Sequence, residues 1–256
     1  MQTRKLGNTG LELTTIGLGT WAIGGSGWQF AWGPQDKDEA VEAAIKAVDL
    51  GINWIDTAPV YGNGKSEELV GRALKILGLA RRPIVATKFG RVFQQDGTIQ
   101  GILKPDSLRA ECEASLRRLD VDAIDLYQMH WPDPDNDIEE AWSTMVDLKD
   151  EGKVRHIGVS NFNIDQMKRL QRIHPIASLQ PPYNMIVRGA EEDLLAFCTK
   201  NNIGVVAYSP MCKGLLTGAF TKERAAALSD EDPRSRDPKF TEPQLSIHLQ
   251  LVESQK

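Results

Sequence analysis

Between residues 16 and 209, short apolar runs rich in β-branched residues alternate with longer segments of helical spacing. A strand repeats every second residue and an α-helix every ~3.6, so the alternation reads as strand followed by helix, many times over. The apolar runs are Ile16–Gly19, Asn53–Asp56, Ile84–Lys88, Ile124–His130, Arg155–Ser160, Ser178–Gln180 and Val205–Ser209. Helical patterns lie near Lys37–Leu50, Ser66–Leu77, Pro105–Leu119, Ile138–Glu151, Ile164–Ile173 and Ala190–Asn201.

Helix-end chemistry agrees with this pattern. Pro105 suits a first helical turn, where its missing N–H costs nothing. Ser66-Glu67-Glu68 puts a cap residue before two acids at a helix start. Gly51, Gly78 and Gly152 stand where helices end. Alternation of this length implies a parallel sheet. With no break in composition between the units, it predicts one continuous α/β barrel over residues 1–256 as a single domain. Residues 3–14 read as a hairpin turning at Asn8-Thr9-Gly10, ahead of the first barrel strand.

A closed TIM-type (β/α)8 barrel has eight strands, and seven are visible. The stretch Lys222–Pro243 is polar and loop-like, and Gln244–Lys256 resumes helical spacing through Leu245, Leu249 and Val252. The eighth strand–helix unit is therefore expected to be missing.

Composition narrows the class. Hydrophobic residues make up 41% and charged residues 25%, enough for a substantial core. A net charge of −5 argues against nucleic acid as the partner. Cys112, Cys198 and Cys212 are too far apart for a disulfide framework or a zinc knuckle. The N-terminus lacks a signal-peptide run, and no stretch nears the ~20 apolar residues that span a bilayer. The expectation is a cytoplasmic protein with no membrane partner.

Three motif matches fail on context. Gly17-Leu18-Gly19-Thr20-Trp21-Ala22 fits the dinucleotide fingerprint, but glycines follow where that motif must open a helix. Gly62-Asn63-Gly64-Lys65-Ser66 ends like a P-loop, yet its first glycine would fall on Pro59. Tyr61 and Lys65 have a four-residue spacing that pairs side chains only on a helix, and Gly62 and Gly64 intervene. The histidines, His130, His156, His174 and His248, are scattered, which gives no metal site.

Barrel active sites lie at the C-terminal ends of strands. In order, those ends carry Asp56 with Tyr61 just beyond, Lys88, His130, Ser160-Asn161, Gln180 and Tyr208-Ser209. Taken singly, each has a plainer explanation: a turn aspartate, a packing tyrosine, a solvated lysine, a structural histidine. Together, at successive strand ends, they suit reduction of a carbonyl. Hydride arriving at carbon builds charge on oxygen, and a proton donor is needed there. Tyr61 can donate, Lys88 beside it would lower the phenol's pKa, Asp56 would keep Lys88 charged, and His130 can hydrogen-bond the oxygen.

The segments IGLGTWAIGG, GINWIDTAPVYGNGKSEELVGRAL, IVATKFG, SLRRLDVDAIDLYQMHWPD, GKVRHIGVSNF, LQPPYN and AYSPMCKGLLTG resemble the aldo-keto reductases, in the branch that includes bacterial general stress proteins and potassium-channel β subunits. The resemblance runs from residue 4 to about residue 220. It implies a catalytic tetrad of Asp56, Tyr61, Lys88 and His130. It implies a nicotinamide cofactor, NADP(H) ahead of NAD(H). Ser160, Asn161 and Gln180 would hold the carboxamide, and Tyr208 would stack on the ring. Ser209, Pro210, Met211, Lys213, Gly214 and Leu216 would line the pyrophosphate, with Gly19, Thr20 and Trp21 near the ribose. Trp21, Trp28, Trp32 and Trp131, with Phe30, would wall a pocket for a small-molecule carbonyl substrate. The family's adenosine-binding region lies past Lys256, so the expectation is an incomplete barrel with exposed edges at strands one and seven and a weakened cofactor grip. A catalytically weak, nucleotide-sensing subunit is the alternative.

Overall fold

The computed structural model describes residues 1–229 and 232–255. An antiparallel hairpin opens the chain, β1 (Thr3–Lys5) paired with β2 (Glu12–Thr14). It turns where the sequence places the turn: Leu6 N–H donates to Leu11 O at 2.8 Å, Thr9 N–H to Leu6 O at 3.1 Å, and Gly10 takes φ +75°. Next come β3 (Leu18–Gly19), α1 (Lys37–Asp49), β4 (Trp54–Asp56), α2 (Lys65–Leu77) and β5 (Ile84–Phe89). A second hairpin, β6 (Arg91–Phe93) and β7 (Ile99–Gly101), precedes α3 (Pro105–Leu119) and β8 (Ile124–Met129). The chain continues through α4 (Ile138–Asp150), β9 (Val154–Ser160), α5 (Ile164–Gln171), β10 (Ser178–Gln180), α6 (Leu194–Lys200) and β11 (Gly204–Val205). Two helices follow, α7 (Lys222–Ala226) and α8 (Gln244–Glu253).

Seven strands form one parallel sheet in the order β11-β10-β9-β8-β5-β4-β3. It curls in the TIM-type manner, with helices packed on its outer face. β3 and β11 each have one partner strand among the described residues. All seven predicted strands are present. The differences are at their ends: the first shortens to Leu18–Gly19, and the seventh reduces to Gly204–Val205 plus an isolated bridge from Tyr208 to Pro182.

Alternation along the strands separates two cores. Ile55, Val85, Tyr127, Met129, Ile157, Val159 and Leu179 point outward and pack under the helices with Leu108, Trp142, Met145 and Met167. Inside, Ala86, Leu126 and Val206 meet Leu6 and Leu13 of the hairpin, which stops the N-terminal end of the barrel. Gly204 makes room for that plug, since a Cβ there would lie 2.4 Å from Leu6 Cδ1. With its base closed, the sheet leaves the opposite end, where the strands finish, open for chemistry.

One helix start departs from expectation. Ser66 does not cap α2; Gly64 does, in a left-handed conformation. Ser66 sits inside the first turn, fully buried, with its hydroxyl turned toward the strands. α8 runs as predicted through Leu245 and Leu249 to Glu253, while Lys256 lies outside the described residues. No helix among the described residues is long and apolar enough to cross a membrane.

Candidate active site

β4 ends on Asp56 and β5 carries Lys88 one residue before its end, and the two strands are direct neighbours. Lys88 has no exposed side-chain surface. Its Nζ donates to Asp56 Oδ2 at 2.7 Å, Thr57 O at 3.0 Å and Tyr61 Oη at 3.3 Å. All three ammonium protons thus have acceptors, which is what a buried lysine needs to stay charged.

Tyr61 reaches this ammonium from a tight loop. Its N–H donates to Ala58 O at 3.1 Å, and Gly62, Asn63 and Gly64 follow in left-handed conformations. Gly62 touches Gly24 of the neighbouring loop so closely that a Cβ would fall 2.0 Å from Gly24 O. Only glycine permits that crossing with φ +67°. His130 follows β8, its N–H donating to Phe89 O at 3.1 Å. Its ring stands edge-on to Tyr61, with centroids 6.0 Å apart and planes at 81°. The four predicted residues are therefore brought together.

Their electrostatics differ in one respect from the sequence expectation. Burial is the largest influence on Tyr61 and raises its pKa; Lys88 pulls the other way, by charge and by hydrogen bond, without reversing the shift. Burial also acts most strongly on Lys88, downward, but Asp56 and Tyr61 together outweigh it and hold the ammonium above its ordinary value. His130 is pushed well below the ordinary histidine range, first by burial and then by the charges of Lys88 and Arg91. It is a neutral imidazole at physiological pH, with one N–H to donate.

A hydrogen-bonded chain of side chains borders the pair. Gln180 Nε2 donates to Asp56 Oδ1 at 2.8 Å. Ser160 Oγ donates to Gln180 O at 2.9 Å. Asn161, at φ +64°, donates through Nδ2 to His130 O at 3.1 Å and to Ser160 Oγ at 3.0 Å, and accepts from Tyr208 Oη at 2.9 Å. These amides and hydroxyls complement a carboxamide, which has one acceptor and two donors, and Tyr208 offers a flat ring beside them. Backbone toward the mouth is bare at Gly19 and Gly214, where an added Cβ would meet nothing within 4 Å. The donor set fits a nicotinamide cofactor.

The other predicted contacts differ in what they present. Thr20 is fully buried, and its hydroxyl and N–H both donate to Asp56 O at 3.0 Å. It positions the Asp56 backbone, and its hydroxyl is engaged there and with Ser66. Ser209 has φ +54°, Pro210 and Met211 are exposed, and Leu216 packs half-buried against the cluster around Leu215 and Phe240. Lys213 is an ion-pair partner of Asp237 at 3.1 Å, so its ammonium is already engaged.

The tryptophans divide. Trp21 stacks on Tyr61, with centroids 6.4 Å apart at 22°, and contacts Trp28 and Trp32. Phe30 packs edge-on to Trp28. Trp131 lies on the other side, under the Arg91 guanidinium at 5.7 Å. The aromatic wall is thus Trp21, Trp28, Phe30 and Trp32, and Trp131 is separate from it.

Sequence reasoning missed the supports behind the strands. Ser66 Oγ donates toward Thr20 O at 3.0 Å and Thr20 Oγ1 at 2.8 Å, and shares a hydrogen bond with Thr57 Oγ1 at 3.0 Å. Glu67, fully buried, accepts from Thr87 Oγ1 at 2.6 Å and pairs with Arg118 at 2.6 Å. The clue available was the pair of acids after Ser66 in a helix otherwise apolar on that face. Arg91, which bridges Trp131 and Asp133, carried no signal at all.

Comparison with known proteins agrees with this architecture. The Aldo/keto reductase family matches residues 15–255. Aldo-keto reductase YhdN of Bacillus subtilis is 42% identical over 252 residues, 98% of this chain and 74% of its own length. The NADH-specific methylglyoxal reductase of Escherichia coli is 39% identical, over 87% of this chain and 71% of its own. The solved structure of the glycerol dehydrogenase AKR11B4 from Gluconobacter oxydans superposes with a TM-score of 0.88 at 41% identity, covering 98% of this chain and 76% of that one.

Proposed function

The chain belongs to the aldo/keto reductase family, and from that premise we propose that Asp56, Tyr61, Lys88 and His130 are the catalytic residues of a nicotinamide-dependent reduction of aldehydes and ketones. Oxidoreductase activity follows from the family and from relatives that are reductases and a dehydrogenase by name. The observation that carries the residue assignment is the buried lysine. Its Nζ lies within 3.3 Å of a phenol oxygen and 2.7 Å of a carboxylate, at the open end of the barrel.

When bound, the cofactor supplies the hydride; Ser160, Asn161 and Gln180 would hold its carboxamide and Tyr208 would lie against its ring. Tyr61 holds the proton that the carbonyl oxygen takes up as negative charge builds there. Lys88 stabilises the phenolate left behind, and Asp56 keeps Lys88 charged and in place. Neutral His130 donates a hydrogen bond to the same oxygen and orients it. Trp21, Trp28 and Trp32 exclude water on one side, which strengthens each of these interactions. Trp131 forms the opposite wall.

NADP(H) ahead of NAD(H) rests on the family resemblance, and the E. coli relative, NADH-specific by name, makes NAD(H) the alternative. Comparison of kcat/KM with the two coenzymes decides it. Three free, buried cysteines support a reducing compartment such as the cytoplasm, which cell fractionation tests. A single domain predicts one cooperative urea transition. A silent regulatory subunit has no support among these relatives.

The test of the main assignment is consumption of reduced nicotinamide with small aldehydes, methylglyoxal and an aromatic aldehyde. Wild type should turn over and Tyr61→Phe should lose at least a hundredfold in kcat with its fold intact. A folded Tyr61→Phe protein within tenfold of wild type would remove Tyr61 from its role.

A further inference from the structure

We infer a second ligand site, for a small tetrahedral oxyanion of the phosphate class, at the end of the barrel opposite the tetrad. A hollow of about 300 Å³ lies there, lined by Asn8 of the hairpin turn, Lys149 of α4, Arg155 and His156 of β9, and His174 with Pro175 ahead of β10. That volume is at the small end of ligand pockets. Every ionisable side chain lining it is basic.

The charges are not balanced from behind. Asp125, 3% exposed, is shared between Arg155 Nη1 at 2.7 Å and Arg82 Nη2 at 2.9 Å, so two guanidinium groups meet one carboxylate. Lys149 Nζ rests against His174 Nε2 at 3.0 Å, and His174 Nδ1 faces Pro175 O at 2.7 Å. A carbonyl can only accept, so Nδ1 carries the proton and Nε2 accepts from Lys149. His174 brings no negative charge to the contact, so it leaves the ammonium charge uncancelled. Two positive charges are in excess around a concave space that His156 also lines. An oxyanion with two negative charges matches that excess, and it takes N–H donors from Lys149, Arg155 and the Asn8 amide.

Binding has a signature that a mere surface patch lacks. His156 is held below its ordinary value by burial first, then by Lys149 and Arg155, with Asp125 opposing. An anion seated among them adds charge of the opposite sign and must raise the histidine's pKa; by reciprocity, affinity rises as His156 protonates.

Sulfate is the first probe, because its charge is constant across the histidine range. The chain has four histidines, so their ring signals in NMR can be assigned by single substitution. At saturating sulfate the His156 pKa should rise by about one unit, the effect of a dianion at ~5 Å in a water-like dielectric. Lys149→Ala and Lys149→Glu, on a partly exposed helical face, should each weaken binding at least tenfold while kcat and KM for carbonyl reduction stay unchanged. Lys213→Ala, which alters the loop by the tetrad, should leave the His156 response intact. Inorganic phosphate and glycerol phosphate then separate the sources: a response to phosphate alone assigns the free ion, and a response to both assigns a phosphate monoester. No shift of His156 with any of these anions, or a shift that persists in Lys149→Glu, overturns the assignment.

Discussion

Replacing Lys88 by methionine keeps an unbranched side chain of similar reach and removes the charge around which the site is built. Deleting one partner of a buried ion pair leaves the other uncompensated, which typically costs about 3–5 kcal/mol. Here Asp56 keeps the Gln180 amide at 2.8 Å and is 13% exposed, so the low end applies, about 3 kcal/mol. The double variant Asp56→Asn/Lys88→Met removes both charges. It should recover most of that loss, giving an interaction energy of about 2 kcal/mol in a double-mutant cycle. Activity should not recover with it. Without Lys88, Tyr61 loses both influences that lower its pKa, and the rate should fall by about 10² to 10⁴ in both variants. Urea unfolding followed by tryptophan fluorescence, with six tryptophans as reporters, measures the first effect, and loss of reduced nicotinamide measures the second. A double variant no more stable than Lys88→Met would refute the pairing energetics. A single variant retaining more than a tenth of wild-type kcat would refute the role of Lys88.

Three further outcomes follow from the supports. Ser66→Ala strands the Thr57 hydroxyl in a fully buried cluster and takes a donor from Thr20, whose hydroxyl keeps Asp56 O, and should lower unfolding free energy by about 1–3 kcal/mol while raising KM more than it lowers kcat. Arg118→Met leaves Glu67, with no exposed side-chain surface, on the Thr87 hydroxyl alone, and should destabilise by about 3 kcal/mol in the same urea assay. Glu111, which accepts from Gly90 N–H at 3.0 Å, is pushed from 4.5 up to about 7, chiefly by burial. The folded state therefore holds a proton that the unfolded chain has released between those values, and stability falls as pH rises through that window; Glu111→Gln should flatten the slope, visible in midpoints measured across it.

How far the sequence carries depends on what kind of fact is asked of it. Asp56, Lys88, Ser160 and Gln180 were legible because strand alternation and strand ends fix both their face and their height in a barrel, whatever the loops do. The separation of Trp131 from the other tryptophans was not, because its place depends on Arg91, and Arg91 belongs to the hairpin β6–β7, whose short strands carry no periodic signal. Ser66 illustrates a different failure. Its local context is that of a helix cap, and local reasoning chooses the cap; the loop crossing of Gly62 on Gly24 shifts the helix start to Gly64 and turns the hydroxyl inward. Long-range packing outranked local propensity there.

The sign of the Tyr61 shift shows what the missing geometry changes in the chemistry. A lysine beside a phenol suggests a proton made easy to lose. Burial reverses that balance, and Tyr61 keeps its proton more firmly than a free phenol does. For reduction the donor still serves. Hydride addition makes an alkoxide, a far stronger base than any phenolate, so the proton still moves downhill, and by drawing the phenol back down Lys88 keeps that transfer fast. What the proton donor must do beforehand is remain protonated, and burial secures that. Lys88 steadies the phenolate as it forms, and burial, reinforced by the same ammonium and by Arg91, holds His130 neutral. Burial and one shared cation thus separate the two groups nearest the carbonyl into a proton donor and a hydrogen-bond donor. A positively charged His130 would compete with Tyr61 for the first task. The neutral ring cannot, which leaves a single route for the proton.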